Sequence, residues 1–178
     1  MDKSTMYSIK AGIFIASAGT LLMLILLSLS LVGPESVSNN KLTIGGTILF
    51  IFLYVFLLLG IYKSILIAKK LNGAKLTFKK ALLTGAVVSI STATFSAIFT
   101  IFFYNWIYPE YNSDMIKVIT EKLSTTNLSE EEIGAKINEH KKYYSTQIQA
   151  QFSFVGNLIT GLAFSLILSL FLKSKDIK

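Results

Sequence analysis

Four long stretches of the chain contain no Asp, Glu, Lys, Arg or His. They cover residues 11–34, 42–62, 81–109 and 143–172 and hold 24, 21, 29 and 30 residues. A helix needs about 20 mostly apolar residues to cross the hydrocarbon core of a bilayer. Every stretch is long enough, so the pattern predicts an all-α polytopic membrane protein with four transmembrane helices.

Polar and helix-breaking residues define the ends of these spans within one membrane domain that covers residues 1–178. Gly33-Pro34 is expected to end the first span, and Pro109 the third. Lys63 lies in the last turns of the second span, from where its ammonium can reach the interface. The fourth uncharged stretch is polar up to Gln151, which delays the start of its span. The predicted spans are about 11–32, 43–68, 81–108 and 152–172.

The loop between spans three and four, residues 109–151, is predicted to hold two short amphipathic helices. The apolar residues of the first recur at helical spacing: Ile116, Ile119 and Leu123. Ser129 and Glu132 have the spacing of a capping box, which begins the second. The second helix is expected to continue into span four, because one apolar stripe runs through both: Ile133, Ile137, Tyr144 and Ile148. The stripe suits packing on the bundle, the membrane surface or a partner, and we favour packing on the chain's own bundle.

Lysine placement predicts the orientation of the spans, because cytoplasmic segments carry an excess of basic residues. All 17 basic residues are lysines. The N-terminus, residues 63–80 and the C-terminal tail together hold eleven lysines and two aspartates, a net charge of +9. The opposite side holds six lysines and eight acidic residues, a net charge of −2, which completes the total of +7. We therefore expect both termini in the cytoplasm of a multi-pass inner-membrane protein, with an extracytoplasmic loop.

The position of the lysines also indicates the partners. They lie at the ends of apolar segments, where anionic lipid headgroups are the natural counter-charge. Binding to nucleic acid would use a basic face on a soluble module, often with arginine, so we expect none. Cysteine is absent, which excludes disulfides and thiolate metal sites.

The third span is the richest in hydroxyl groups: Thr84, Ser89, Ser91, Thr92, Thr94, Ser96 and Thr100. One helical face combines small and hydroxyl residues: Gly85, Ser89, Thr92 and Ser96. Similar stripes occur in spans one and four: Gly12, Ala16 and Gly19, and Gly161 with Ser165. Such faces either line a path for a polar substrate or let helices approach closely, and we favour close helix packing.

No catalytic, cofactor-binding or metal-binding residue is predicted, and we do not expect an enzyme. No Asp, Glu, His or Arg lies within a span, whereas proton-coupled transport and hydrolysis generally need such groups. Asn105 and Asn157 are amides at membrane depth, for which we predict a pair across spans three and four. His140 is the only histidine, and we expect it solvated in a charged helix rather than bound to zinc.

Several short motifs occur in a characteristic order. Gly60-Ile61-Tyr62-Lys63 closes span two, and Leu71-Asn72-Gly73 and Leu76-Thr77-Phe78-Lys79-Lys80-Ala81 follow before Gly85. Tyr108-Pro109-Glu110 and Leu128-Ser129-Glu130-Glu131-Glu132 mark the loop, and a glycine-containing span four ends at Lys173. In this order the chain resembles, over nearly its whole length, the bacterial membrane family called domain of unknown function 4199. The resemblance implies a four-helix membrane protein and supplies no catalytic residues.

The sequence therefore predicts a structural, accessory or regulatory component of the inner membrane. It would act by association with another membrane protein or with itself, because the spans lack the ionisable groups that transport and catalysis require. The alternative is a small permease or channel subunit that uses the Ser/Thr face of span three.

Overall fold

The computed structural model describes residues 2–174, and within them every regular element is helical. Lys175, Asp176 and Lys178, which enter the charge count of the C-terminal tail, lie outside the described residues. The all-α prediction is confirmed. The elements are α1 Lys3–Ser28, α2 Pro34–Ser38, α3 Leu42–Leu71, α4 Phe78–Phe102, a π-helical segment Phe103–Ile107, α5 Tyr111–Ser124, α6 Glu130–Tyr143 and α7 Thr146–Leu172.

Four of these helices are long and apolar enough to cross a membrane: α1, α3, α4 with its π-helical extension, and α7. Successive long helices run in opposite directions. Between α1 and α3, Gly19 lies beside Leu53 and Gly60 beside Ile15; between α4 and α7, Gly85 lies beside Ser165 and Gly161 beside Ser89. We call the end with the N-terminus and the α3–α4 turn the lysine-rich half. The opposite end, which carries α2, α5 and α6, is the loop half.

Helix α4 lies at the centre of the bundle. It packs against α1, α3 and α7, and its contact with α7 is the most extensive in the molecule. The apolar core of the lysine-rich half forms between these helices, where Leu57, Ile61, Ile65 and Val88 are almost fully buried. Within a bilayer such helices are held by van der Waals contact rather than by exclusion of water, so close packing is what stabilises this half.

Hydrogen bonds close the lysine-rich end of the bundle. The Lys69 ammonium donates to the carbonyl of Leu172 at 3.0 Å, which satisfies one of the free carbonyls at the end of α7. The Leu76 amide donates to the Ser174 hydroxyl at 2.9 Å, and the Ser174 amide donates to the Leu76 carbonyl at 2.9 Å. The turn between α3 and α4 is thereby fastened to the end of α7.

The predicted end of the first span at Gly33-Pro34 is wrong. Helix α1 ends at Ser28, because Ser30 adopts a left-handed φ of 54°. The Leu31 amide then donates to the Leu26 carbonyl at 2.9 Å and the Ser30 amide to the Leu27 carbonyl at 3.0 Å, the bonds of a Schellman motif. Pro34 begins α2 instead, where its missing N–H costs nothing.

The loop half is built on a second apolar cluster. Tyr111, Met115 and Ile119 of α5 are buried against Val37 of α2 and Phe103 of the π-helical segment. Helix α5 therefore packs on the chain's own bundle, whereas the stripe for which this packing was predicted is only half-buried at Ile133, Ile137, Tyr144 and Ile148. Helix α6 begins with the predicted capping box, in which Ser129 and Glu132 bind each other's backbone amides, but none of its residues is buried.

The predicted continuation of the second loop helix into span four is wrong. Helix α6 ends at Tyr143, and α7 begins anew at Thr146 with Ser145 as its N-cap residue. The Ser145 amide donates back to Lys142, and its hydroxyl donates to the Lys142 carbonyl at 2.7 Å. These local bonds compete with the helical ladder and end α6. The apolar stripe therefore bends at Tyr144 instead of running straight.

Candidate functional site

The small and hydroxyl residues of α4 lie mainly in helix contacts. Gly85 faces Ser165 of α7, and Gly161 of α7 faces Ser89, so a Cβ at either glycine would overlap the opposing serine. The two serine hydroxyls lie 3.4 Å apart, and each also bonds the carbonyl four residues back in its own helix. This reciprocal pairing of glycine with serine joins α4 to α7 without leaving a path between them.

The contact between α4 and α1 is also made at a glycine, Gly12 of α1. A Cβ at Gly12 would lie 2.5 Å from the Ser91 Cβ and 2.8 Å from the Val88 carbonyl oxygen. The Thr92 hydroxyl approaches the Gly12 carbonyl at 3.4 Å. Thr84 donates to the Lys80 carbonyl at 2.8 Å, and Thr94 is exposed on the outside of α4. The predicted role in helix packing is confirmed for Gly85, Ser89 and Thr92.

Further along α4 the helices separate and enclose a cavity of about 490 Å³ in the loop half. It lies among α1, α3, the end of α4, the π-helical segment and the start of α7. Helices α3 and α7 meet at Tyr54 and Phe164, whose rings are 6.5 Å apart, and the residues of both helices that line the cavity lie on the loop side of this contact. Its polar lining residues, apart from tyrosines, are Thr20, Ser96, Thr100, Gln149, Ser153 and Asn157.

Four tyrosines line the loop end of this cavity, and we call them the tyrosine cluster: Tyr104, Tyr111, Tyr143 and Tyr144. They come from the π-helical segment, the start of α5, the end of α6 and the α6–α7 turn. Tyr104 and Tyr111 are each 8% exposed, and their rings meet edge to face at 5.3 Å. Tyr143 and Tyr144 meet edge to face at 5.0 Å. The cluster therefore brings together side chains of the π-helical segment, α5, α6 and the α6–α7 turn.

The π-helical segment places Tyr104 in this cluster. The Tyr108 amide donates to the Phe103 carbonyl at 2.9 Å, which is the five-residue bond of a π-helix. One extra residue in a turn rotates the following side chains, and π-helical turns are frequent at functional sites. Tyr108 is held separately, since its hydroxyl donates to the Asp114 carboxylate at 2.7 Å.

The lining of the cavity is uncharged. No Asp, Glu, Lys or His belongs to its lining in the part of the chain that the structure describes. Burial raises the pKa of Tyr111 above its ordinary value, with a further contribution from the nearby Tyr144 hydroxyl. Burial also raises the pKa of Tyr144. These hydroxyls stay protonated at neutral pH and remain hydrogen-bond donors.

Three of the deeper polar side chains bond within their own helices, whereas the Ser96 and Ser153 hydroxyls make no hydrogen bond within residues 2–174. Thr20 donates to the Ala16 carbonyl at 3.0 Å and Thr100 to the Ser96 carbonyl at 2.9 Å. The Asn157 amide donates to the Ser153 carbonyl at 2.7 Å. By contrast, no hydrogen bond between residues 2 and 174 uses the hydroxyl of Tyr104, Tyr111 or Tyr144.

The predicted pair of Asn105 and Asn157 is wrong. Asn105 donates to the Ile101 carbonyl at 2.7 Å and is exposed, while Asn157 lines the cavity. Each amide donates to the carbonyl four residues back along the chain, so neither needs a partner across the bundle. His140 stacks on Tyr144 with ring centroids 6.1 Å apart. The described residues contain no group of three His, Cys, Asp or Glu side chains that could hold a metal ion.

The sequence reasoning missed both the cavity and the tyrosine cluster. Half of the eight tyrosines of the chain line the cavity. They lie on separate elements of the chain, so no single periodicity joins all four. The available signal was their position, since all four flank the ends of the loop helices.

One family model matches the chain and confirms the resemblance found in the sequence. The model of a family described as a protein of unknown function, DUF4199, matches residues 10–174. The chain belongs to this family. The DUF4199 match includes α1 from residue 10 onwards, the other three long helices, the loop helices and the whole tyrosine cluster. No curated protein and no solved structure matches the chain.

Proposed function

We propose that this DUF4199 protein is an accessory or regulatory component of the inner membrane that acts by protein association. The observation that carries the proposal is the closed packing of the lysine-rich half. The Gly–Ser contacts of α4 and the buried Ile61, Ile65 and Val88 fill the centre of the bundle there. A bundle that is filled across one half offers surfaces for binding rather than a conduit.

Helix α6 is the surface that we assign to a partner. It has no buried residue, and its polar side chains are exposed on the outside of the loop half: Glu130, Glu131, Lys136, Asn138, Glu139, Lys141 and Lys142. Acidic residues occupy its first turn and basic residues its last, which suits the helix dipole and helps to keep the helix folded although none of its residues is buried. Mixed charge on an exposed helix gives specificity to an interface.

Site-specific cross-linking in cells tests the association. A photoreactive amino acid is placed at the exposed Ala135 of α6, and the control carries it at the exposed Lys75 of the α3–α4 turn. We expect a discrete adduct from position 135 that is lost when Glu131 and Glu139 are changed to glutamine. Failure to form any discrete adduct at 135, or an adduct that is indifferent to those charges, would contradict an interface on α6.

The alternative, a small permease or channel subunit, would need a path along the Ser/Thr face of α4. In the monomer Ser89 and Thr92 are fully buried in contacts with α7 and α1. Reconstituted protein is therefore expected to give no solute flux above that of empty liposomes. Flux that a bulky residue at Ser89 or Ser96 abolishes would favour the alternative.

We also propose that both termini face the cytoplasm and that the lysine-rich half contacts anionic lipid. Lysines at the α3–α4 turn are exposed, including Lys70, Lys75, Lys79 and Lys80. This arrangement agrees with the positive-inside rule. A reporter that is active only outside the cytoplasm should give a signal when fused near Asn127 and none after Lys178. The reverse result would overturn the orientation.

A further inference from the structure

We propose that the cavity of the loop half is a binding site for a neutral amphiphile, a molecule with one apolar chain and an uncharged head that accepts hydrogen bonds. The site is independent of the association proposed for α6. Its volume of about 490 Å³ lies within the range of small-molecule sites in proteins.

The lining determines the charge of the ligand. The cavity is lined mainly by apolar side chains and by no charged side chain of the described residues. An ionised head without a partner in such surroundings is strongly disfavoured. The occupant is therefore neutral.

The hydrogen-bonding groups determine which end of the cavity holds the head of the ligand. The donors of Thr20, Thr100 and Asn157 serve their own helices. The Ser96 and Ser153 hydroxyls make no hydrogen bond within residues 2–174, but they are single donors on separate helices, whereas the tyrosine hydroxyls are grouped at one end of the cavity. At the loop end, the Tyr111 and Tyr144 hydroxyls are protonated donors without a hydrogen-bond partner among residues 2–174. A head that carries hydroxyl, ester or carbonyl oxygens consequently binds at the tyrosine cluster, and the chain extends towards Ala16, Gly19 and Leu53 at the floor.

The entrance lies between α3 and α7. Both helices line the cavity beyond the Tyr54–Phe164 contact, and each has an exposed lining residue, Gly46 and Phe152. Phe152 is 55% exposed. An opening between two long apolar helices admits a ligand from the bilayer, with its head at the depth of the loop half.

Gly46 allows the cavity to be filled without disturbing the bundle. A Cβ at Gly46 would meet no atom within 4 Å, and the residue lines the cavity. Gly156 provides the matched control, since it lies in the loop half of α7, has the same open surroundings and does not line the cavity. Gly46→Leu therefore blocks the site, while Gly156→Leu adds the same side chain elsewhere.

Photolabelling of the full chain in phosphatidylcholine nanodiscs tests the site. The probe is a monoacylglycerol with a diazirine in its chain, and the labelled residues are located by mass spectrometry. We expect labelling of cavity-lining residues that Gly46→Leu lowers about 10-fold and Gly156→Leu leaves unchanged. Tyr111→Phe and Tyr144→Phe should each raise the probe concentration that gives half-maximal labelling about 2- to 10-fold, because each removes one hydrogen bond.

Two further probes test whether the ligand must be uncharged and must have a single chain. A fatty acid with the same diazirine chain, tested at pH 8 as the anion, should label the cavity at least about 10-fold less. A diazirine phosphatidylcholine should label the outer faces of the helices rather than the cavity. Labelling of the cavity by the phospholipid as strongly as by the monoacylglycerol would overturn the neutral single-chain ligand. Monoacylglycerol labelling of cavity-lining residues that Gly46→Leu leaves unchanged would overturn the site itself.

Discussion

The two halves of this bundle are made from the same four helices, yet one half is filled and the other is hollow. Glycine illustrates the difference. Gly85 in the lysine-rich half marks the closest approach of α4 to α7, where Ser165 occupies the space that a Cβ would need. Gly46 in the loop half faces open space. A glycine therefore marks a close contact only where another segment lies against it, as α7 does at Gly85.

The closure at the two ends differs in kind as well. The lysine-rich end is fastened by short connections and by hydrogen bonds from Lys69 and Ser174 to the facing backbone. The loop end is spanned by α2, α5 and α6, and edge-to-face aromatic contacts of Phe103, Tyr104 and Tyr111 hold it together. Large rings brace the loop helices at a distance, and this leaves room beneath them.

The sharpest test of the comparison is truncation of one side chain in each half. Ile61→Ala removes a fully buried side chain from the packed core and should lower the free energy of unfolding by about 2–5 kcal/mol. Leu49→Ala only enlarges an existing cavity, and we expect a loss of about 1 kcal/mol. The free energies are measured by detergent-induced unfolding in mixed micelles. Equal losses at both positions would show that the halves are packed alike.

Insertion of a methyl group tests the same comparison from the opposite side. Gly85→Ala and Gly161→Ala place a Cβ against a serine and should each lower the free energy of unfolding by about 1–3 kcal/mol. Gly46→Ala and Gly156→Ala enter open space and should change it by no more than about 0.5 kcal/mol. The same unfolding assay applies, and a large loss at Gly46 would contradict an open loop half.

A smaller effect is expected for the capping box of α6. Ser129→Ala should destabilise this helix by about 1 kcal/mol. Because α6 has no buried residue, its amide protons should exchange faster while those of α4 are unchanged, as measured by hydrogen exchange. Faster exchange throughout the bundle would instead show that α6 is coupled to the core.

Acid should weaken the same cap. Bonds from the Ser129 backbone and hydroxyl lower the pKa of Glu132 below its ordinary value of 4.5. A carboxylate with a lowered pKa stabilises the folded state above its unfolded pKa, and this contribution disappears as the pH falls through the folded value. Protection of α6 amides should therefore decline below about pH 4.5. Glu132→Gln should remove this pH dependence, and a decline that persists in the variant would assign it to another group.

The number of long helices and their alternating directions could be predicted from the positions of the charged residues alone. Placing a lysine or a carboxylate in hydrocarbon is costly, so the uncharged stretches mark the helices that can cross a membrane. The capping box at Ser129 was equally predictable, because it depends on two side chains three residues apart. Helix ends that depend on backbone conformation were harder. Nothing in the residue type of Ser30 indicates the left-handed φ that ends α1.

The role of the hydroxyl face illustrates a partial success. Small-residue spacing correctly predicted close helix packing for Ser89 and Thr92, and Gly85 lies in the same contact. Ser96 continues the same face at helical spacing but lines the cavity instead. The difference depends on the distance between α4 and its neighbours at that depth, which the sequence of α4 does not contain.

The sequence by itself determined that this chain is an all-α membrane protein of four long helices and a helical loop. Local chemistry suffices for that, since the cost of burying charge and the bonds of a helix cap act within a few residues. Only the tertiary structure decided that four tyrosines from separate elements meet above a cavity. Such convergence depends on where helices diverge, and this is set by side chains that face one another across the bundle from distant parts of the chain.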